Sequence, residues 1–154
     1  MKLPTLDELL KVLDLKEDSD VCSNMIELRN KYGLDNLVDL YAQAFYVIKN
    51  FPARREIAYW VGRYVKHNEN VFNMALLGLN DKSYIVRYHC CGIIAFSQRT
   101  DSLDHLNKVK DHKNVKTRED IVAAIDSIQN RNHNYFVDRE HTGTFKFDLG
   151  KINA

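Results

Sequence analysis

Glycine and proline are scarce, with six and two in 154 residues. So little turn chemistry disfavours a loop-rich all-β fold. Cysteine is limited to Cys22, Cys90 and Cys91. An odd number without regular spacing argues against a disulfide framework and fits a reducing compartment. No Cys-x-x-Cys or His-Glu-x-x-His motif occurs, and the six histidines form no i, i+4 pair, so neither a metal nor a cofactor is implied. A phosphate-cradling glycine loop, a nucleophile elbow and a dinucleotide fingerprint are equally missing, and the sequence points to a non-enzyme. No apolar run approaches membrane-spanning length and no signal-peptide pattern follows Met1, so a cytoplasmic protein with no membrane partner is expected.

What is present is the balance of an ordinary globular chain: 45% hydrophobic and 28% charged residues. The length suits a single domain, 1–154, with a real core. A net charge of +1 makes the whole chain a poor electrostatic match for nucleic acid. The charge is unevenly spread. Residues 1–50 hold six Lys/Arg against nine Asp/Glu, whereas residues 51–100 hold seven against three.

Hydrophobic spacing predicts helices along most of the chain. Leu6, Leu9, Leu10 and Leu13 mark the first, with Asp7 and Glu8 at its positive end. Ser19 or Asp20 is placed to cap a second, striped by Val21, Met25, Leu28 and Tyr32 and stopped by Gly33. Leu34, Leu37, Val38, Tyr41, Phe45 and Ile48 hold one face of a third, ended by Asn50, Phe51 and Pro52. Ile57, Trp60, Val61, Tyr64 and Val65 follow. The run Val71 to Leu79 is apolar almost all round. Asp81 or Ser83 can cap the helix of Val86, Cys90, Ile93 and Ile94, where Cys90 and Cys91 read as core filling. Leu103, Leu106 and Val109 form a short helix, and Thr117 is placed to cap the last, which carries Ile121, Val122, Ile125 and Ile128. After Asn130 the texture turns aromatic and β-branched. Tyr135 to Val137 and Thr144 to Phe147, with Gly143 between them, predict a β-hairpin over 135–149.

Helix starts near 52, 82 and 117 recur with the period of a stacked helical repeat. The segment Leu76 to Arg87 adds leucines closing one helix, Asp81 in the turn, then Val86 and Arg87, followed by Cys90 and Cys91. This resembles the HEAT-repeat pattern, well over 76–95, more loosely over 113–128 and only in general terms over 34–66. The resemblance implies a mainly α fold: two N-terminal helices (1–33), a short HEAT-like stack of antiparallel helical hairpins (34–130) and the C-terminal β-hairpin. It also implies that Arg87 pairs with an acidic group in the turn. Small bacterial proteins of this kind resemble the immunity proteins of toxin–immunity systems, which implies binding to a cognate toxin by occlusion of its active site.

On that reading the partner-binding candidates are Asp7, Glu8, Asp14, Glu17, Asp18 and Asp20 in the acidic first third, and Asp138, Arg139, Glu140 and His141 in the predicted hairpin loop. Nucleic-acid binding through Arg54, Arg55, Arg63 and Lys66 is the alternative, with Tyr59, Trp60 and Tyr64 close by. An enzyme would instead require His133, Asp138 and His141 to share one pocket.

Overall fold

The computed structural model describes residues 2–144. Helix α1 spans Leu6–Leu13, α2 Asp18–Tyr32, α3 Leu34–Val47, α4 Phe51–Val61, α5 Glu69–Gly78, α6 Tyr84–Ser97, α7 Leu103–Val109, α8 Val115–Gln129 and α9 Asn134–Val137. Short 3₁₀ turns at Gly62–Tyr64 and Thr100–Ser102 follow α4 and precede α7. The described chain is mainly α. No described helix is long and apolar enough to cross a membrane.

Helix boundaries follow local chemistry. Thr5 and Glu8 close a reciprocal capping box at the start of α1. Gly33, at φ 78°, separates α2 from α3 in a backbone conformation that a side chain would strain. Pro52 sits in the first turn of α4, where its missing N–H costs nothing. Two cap positions differ from expectation. Helix α2 begins at Asp18, with Glu17 at the cap rather than Ser19 or Asp20. Asn114 caps α8 by accepting the Thr117 N–H, so Thr117 lies buried inside the first turn. Before α6, Ser83 occupies the cap without a side-chain bond, and its own N–H is donated to Asp81 Oδ1 at 2.8 Å.

Consecutive helices pair as α1/α2, α3/α4, α5/α6 and α7/α8. Across the pairs, α1 packs on α3 and α3 on α5 in one layer, while α2, α4, α6 and α8 follow one another in the second. The core runs unbroken between the layers, through Leu9, Leu13, Leu37, Tyr41, Ile57, Met74, Ile94, Leu106, Ile121 and Ile128. Cys90 and Cys91 belong to it, and burial pushes both thiols up. A Cβ on Gly78 would fall 2.1 Å from Cys90 Sγ, so α5 and α6 approach this closely only because both residues are small.

One arginine clamp recurs in three successive pairs. Arg54, Arg87 and Arg118 each occupy the fourth position of α4, α6 and α8. Each directs Nη1 back to the carbonyls six and five residues earlier: Ile48 and Lys49, Asp81 and Lys82, His112 and Lys113. These carbonyls leave the preceding helix or turn without an intrahelical partner, and the guanidinium fork supplies one. In Arg54 and Arg87 the remaining nitrogens reach the next pair. Arg54 holds the Asp81 carboxylate through two bonds, at 2.6 and 3.1 Å, and Arg87 donates to Thr117 Oγ1 at 2.9 Å. The carboxylate in the turn is therefore paired by Arg54 from the previous helix pair, and not by Arg87. Asp14 makes the corresponding link at the first turn, accepting the N–H groups of Lys49 and Asn50.

The expected β-hairpin is not found in the described part of 135–149, and no strand occurs among the described residues. Tyr135, Phe136 and Val137 form the helical turn α9, and residues 145–149 lie outside the described residues. Packing overrides β propensity here. Phe136 is buried against Tyr88 and Gly92 of α6, and the backbone closes helical bonds from Phe136 to His133 and from Asp138 to Asn134.

Candidate binding groove

Between α4, α6 and α9 lies a groove of about 440 Å³. Helical spacing builds its walls. Tyr59 and Arg63 stand one turn apart on and after α4, while Tyr88, Gly92 and Phe96 recur every fourth residue along α6. His133, Phe136 and Val137 close the third side. Gly92 matters for this closure: a Cβ there would lie 3.2 Å from the Phe136 ring.

The rings interlock edge to face. Tyr59 meets Trp60 at 5.5 Å and His89 at 6.0 Å, His89 meets Tyr88 at 5.5 Å, and Phe96 meets His133 at 5.3 Å. Tyr59 remains 58% exposed at the mouth. Burial pulls the His89 imidazole below its ordinary pKa, outweighing the opposing pull of Glu56, so it stays neutral around pH 7. Cations cover the flanking rings. Arg29 and Arg63 lie over Trp60 at 4.8 and 5.8 Å, and Lys66 lies over Phe96 at 4.4 Å. Among the described residues no carboxylate lines the groove. None of the three cations has a carboxylate within ion-pair distance among the described residues.

The acidic candidates separate into engaged and free groups. Glu8 is used in the capping box, and its bonds to Thr5 hold its carboxyl below the ordinary range. Asp14 is spent on the α3–α4 turn. Asp18 pairs with Arg55 at 3.0 Å. Asp7, Glu17 and Asp20 are exposed and carry no ion pair among the described residues. The segment 138–141 folds back onto α8. Arg139 reaches the buried Asp120 at 2.6 Å, and His141 meets Asp126 at 2.9 Å while stacking on Tyr135. Asp138 accepts from Thr142 and Gly143, and Glu140 is exposed.

Of the basic candidates, Arg54 is the half-buried clamp on Asp81, and Arg55 pairs with Asp18 and Glu56. Arg63 and Lys66 remain at the groove's edge. His133, Asp138 and His141 line three different depressions, so the pocket required for a catalytic trio is not assembled. Among the described residues no cluster of His, Cys, Asp or Glu has metal-binding geometry.

The groove residues Tyr88, His89, Gly92 and Phe96 escape a reading of the sequence because the stronger stripe of α6, Val86, Cys90, Ile93 and Ile94, faces the core. The signal available was a second i, i+4, i+8 series, Tyr88, Gly92 and Phe96, on the same helix. Phe136 escapes because β propensity assigns it to a strand. Compared with protein-family models, curated proteins and solved structures, the chain matches none.

Proposed function

We propose that this protein is a non-catalytic protein-binding module, a short HEAT-like stack of helical hairpins acting as an immunity protein that neutralises a toxin by occluding its active site. The observation that carries the binding reading is the groove between α4, α6 and α9: an open aromatic surface, with Tyr59 exposed at its mouth and cations at its edge. Aromatic side chains and arginine anchor protein interfaces because they bury large area at low entropic cost. The Arg54 and Arg87 clamps support the reading by tying the pairs α3/α4, α5/α6 and α7/α8 together, which presents the groove on a preorganised scaffold. The toxin-neutralising role rests on resemblance to small helical immunity proteins.

Affinity purification of the tagged protein from its native host tests this. A stable one-to-one complex with a single protein, whose toxicity or enzymatic activity is blocked on binding, is the expected result. Recovery only as a free monomer sinks the reading. Of its candidate cations, nucleic-acid binding is left with Arg63 and Lys66, because Arg54 and Arg55 are committed to carboxylates. So few phosphate contacts give only a shallow dependence of affinity on salt.

A further inference from the structure

We infer that the groove between α4, α6 and α9 receives an acidic segment of a partner protein that carries an apolar stripe, an inference that rests on the binding-module reading and specifies its partner. Two properties of the groove determine the class of occupant.

The first is apolar shape. Ala58, Ile93 and Val137 join the aromatic rings, and about 440 Å³ accommodates a few large side chains. Side chains projecting every third or fourth residue from one helix would fill such a groove. The second is charge. Arg63 lines the groove, Lys66 lies over its Phe96 ring and Arg29 lies over Trp60 beside Tyr59, all without a carboxylate partner among the described residues, and no described lining residue is acidic. Glu56, whose charge acts on His89, is paired with Arg55 at 2.8 Å. An acidic flank on the occupant supplies what these cations lack, whereas a basic one meets repulsion.

The ring geometry favours a protein segment over a nucleic acid. Bases bind single-strand platforms by stacking on open aromatic faces. Here Arg29 and Arg63 lie over the Trp60 ring, and Lys66 over Phe96. Tyr59, His89 and Tyr88 pack against one another edge to face. The lining rings Tyr59, His89 and Tyr88 thus stand at steep angles to one another, with Lys66 over Phe96, instead of forming a row of parallel faces.

Three synthetic amphipathic peptides, each long enough for about four helical turns, share one Leu/Phe stripe and differ only in polar residues: all Glu, all Lys, or Gln and Ser. Each is titrated against the full-length protein by anisotropy of a labelled peptide and by the emission of Trp60, the single tryptophan. Oligouridine is run in parallel. The Glu peptide is expected to bind saturably, roughly tenfold or more tighter than the Lys peptide, and to weaken as salt rises. The double substitution Arg63→Glu and Lys66→Glu, at two exposed positions, should lower Glu-peptide affinity by roughly tenfold and turn the preference toward the Lys peptide. Tyr59→Ser should weaken the Glu and Gln/Ser peptides alike. An unchanged helical spectrum and melting curve confirm that these variants fold.

The proposal is overturned if the Lys peptide binds as well as the Glu peptide, if the Glu peptide shows no saturable binding, if the double reversal leaves the preference unchanged, or if oligouridine binds more tightly than any peptide. The binding-module reading is judged separately by purification from the host. A stable partner recovered alongside a Glu peptide that does not bind removes only the groove assignment, and a free monomer removes the broader reading.

Discussion

Replacing Arg54 with alanine tests how the helix pairs are held together. Its guanidinium contacts both oxygens of Asp81, and Nη1 serves the carbonyls of Ile48 and Lys49 at 3.0 and 2.7 Å. The Asp81 side chain is only 8% exposed. Without Arg54, that carboxylate retains the Ser83 N–H as its one other donor among the described residues. An uncompensated buried charge of this kind costs about 3–5 kcal/mol. Arg118 sits at the equivalent position of α8 and makes the same pair of carbonyl bonds, but binds no carboxylate among the described residues. Arg118→Ala should therefore cost about 1 kcal/mol. In urea unfolding with a slope of about 2 kcal/mol per molar, the midpoints should fall by about 2 M for Arg54→Ala and about 0.5 M for Arg118→Ala. Adding Asp81→Ala to Arg54→Ala removes the orphaned charge and should recover about 2 kcal/mol, a coupling that a double-mutant cycle isolates. Equal losses at Arg54 and Arg118, or an Arg54→Ala loss below about 1 kcal/mol, would refute the assignment of the clamp as the bond between pairs.

Three further outcomes follow from single sites. Gly78→Ala gains helix propensity but drives a Cβ into Cys90 Sγ, so thermal melting should show a net loss of about 1–3 kcal/mol, with part recovered by Cys90→Ala; a stabilised Gly78→Ala protein would contradict the close approach of α5 and α6. The Tyr41 side chain is fully buried and its hydroxyl meets no protein partner among the described residues, so Tyr41→Phe should be neutral or stabilising by up to about 1 kcal/mol, whereas a clear loss in melting temperature would reveal a partner for the hydroxyl. Burial alone would raise the Asp14 pKa, but the N–H groups of Asn50 and Lys49 more than offset it and leave the pKa below the ordinary 3.8. With a depressed folded pKa, the contribution is fully present above pH 3.8 and disappears as pH falls through the lower folded value. Asp14→Ala should thus cost about 1 kcal/mol at neutral pH, and its urea midpoint should converge with that of the unsubstituted protein in acid; a gap that persists at low pH would place the effect in packing.

The sequence alone makes helices α1 to α8 legible, because apolar spacing and end chemistry are local. Gly33 and Pro52 punctuate the chain where expected, and Leu37, Val38, Tyr41 and Phe45 are buried as their period requires. The period near 30–35 residues is legible too, and the clamp arginines at 54, 87 and 118 keep step with it. Their use is not legible. A guanidinium reads identically in sequence whether it meets solvent or a neighbouring turn. Only the stacking of α4 on α6 brings Arg54 to Asp81 and withdraws it from any binding surface.

The C-terminal segment shows the same limit from the opposite direction. Tyr135, Phe136 and Val137 have strand propensity, yet tertiary structure makes them a helical turn, because burial of Phe136 against Gly92 outweighs a preference worth a fraction of that contact. The groove arises from that same docking, where α4, α6 and α9 meet. Residues far apart in the chain become one surface only when the helices pack. Local periodicity is written along the sequence, but which exposed faces adjoin depends on contacts between residues that sequence spacing does not relate.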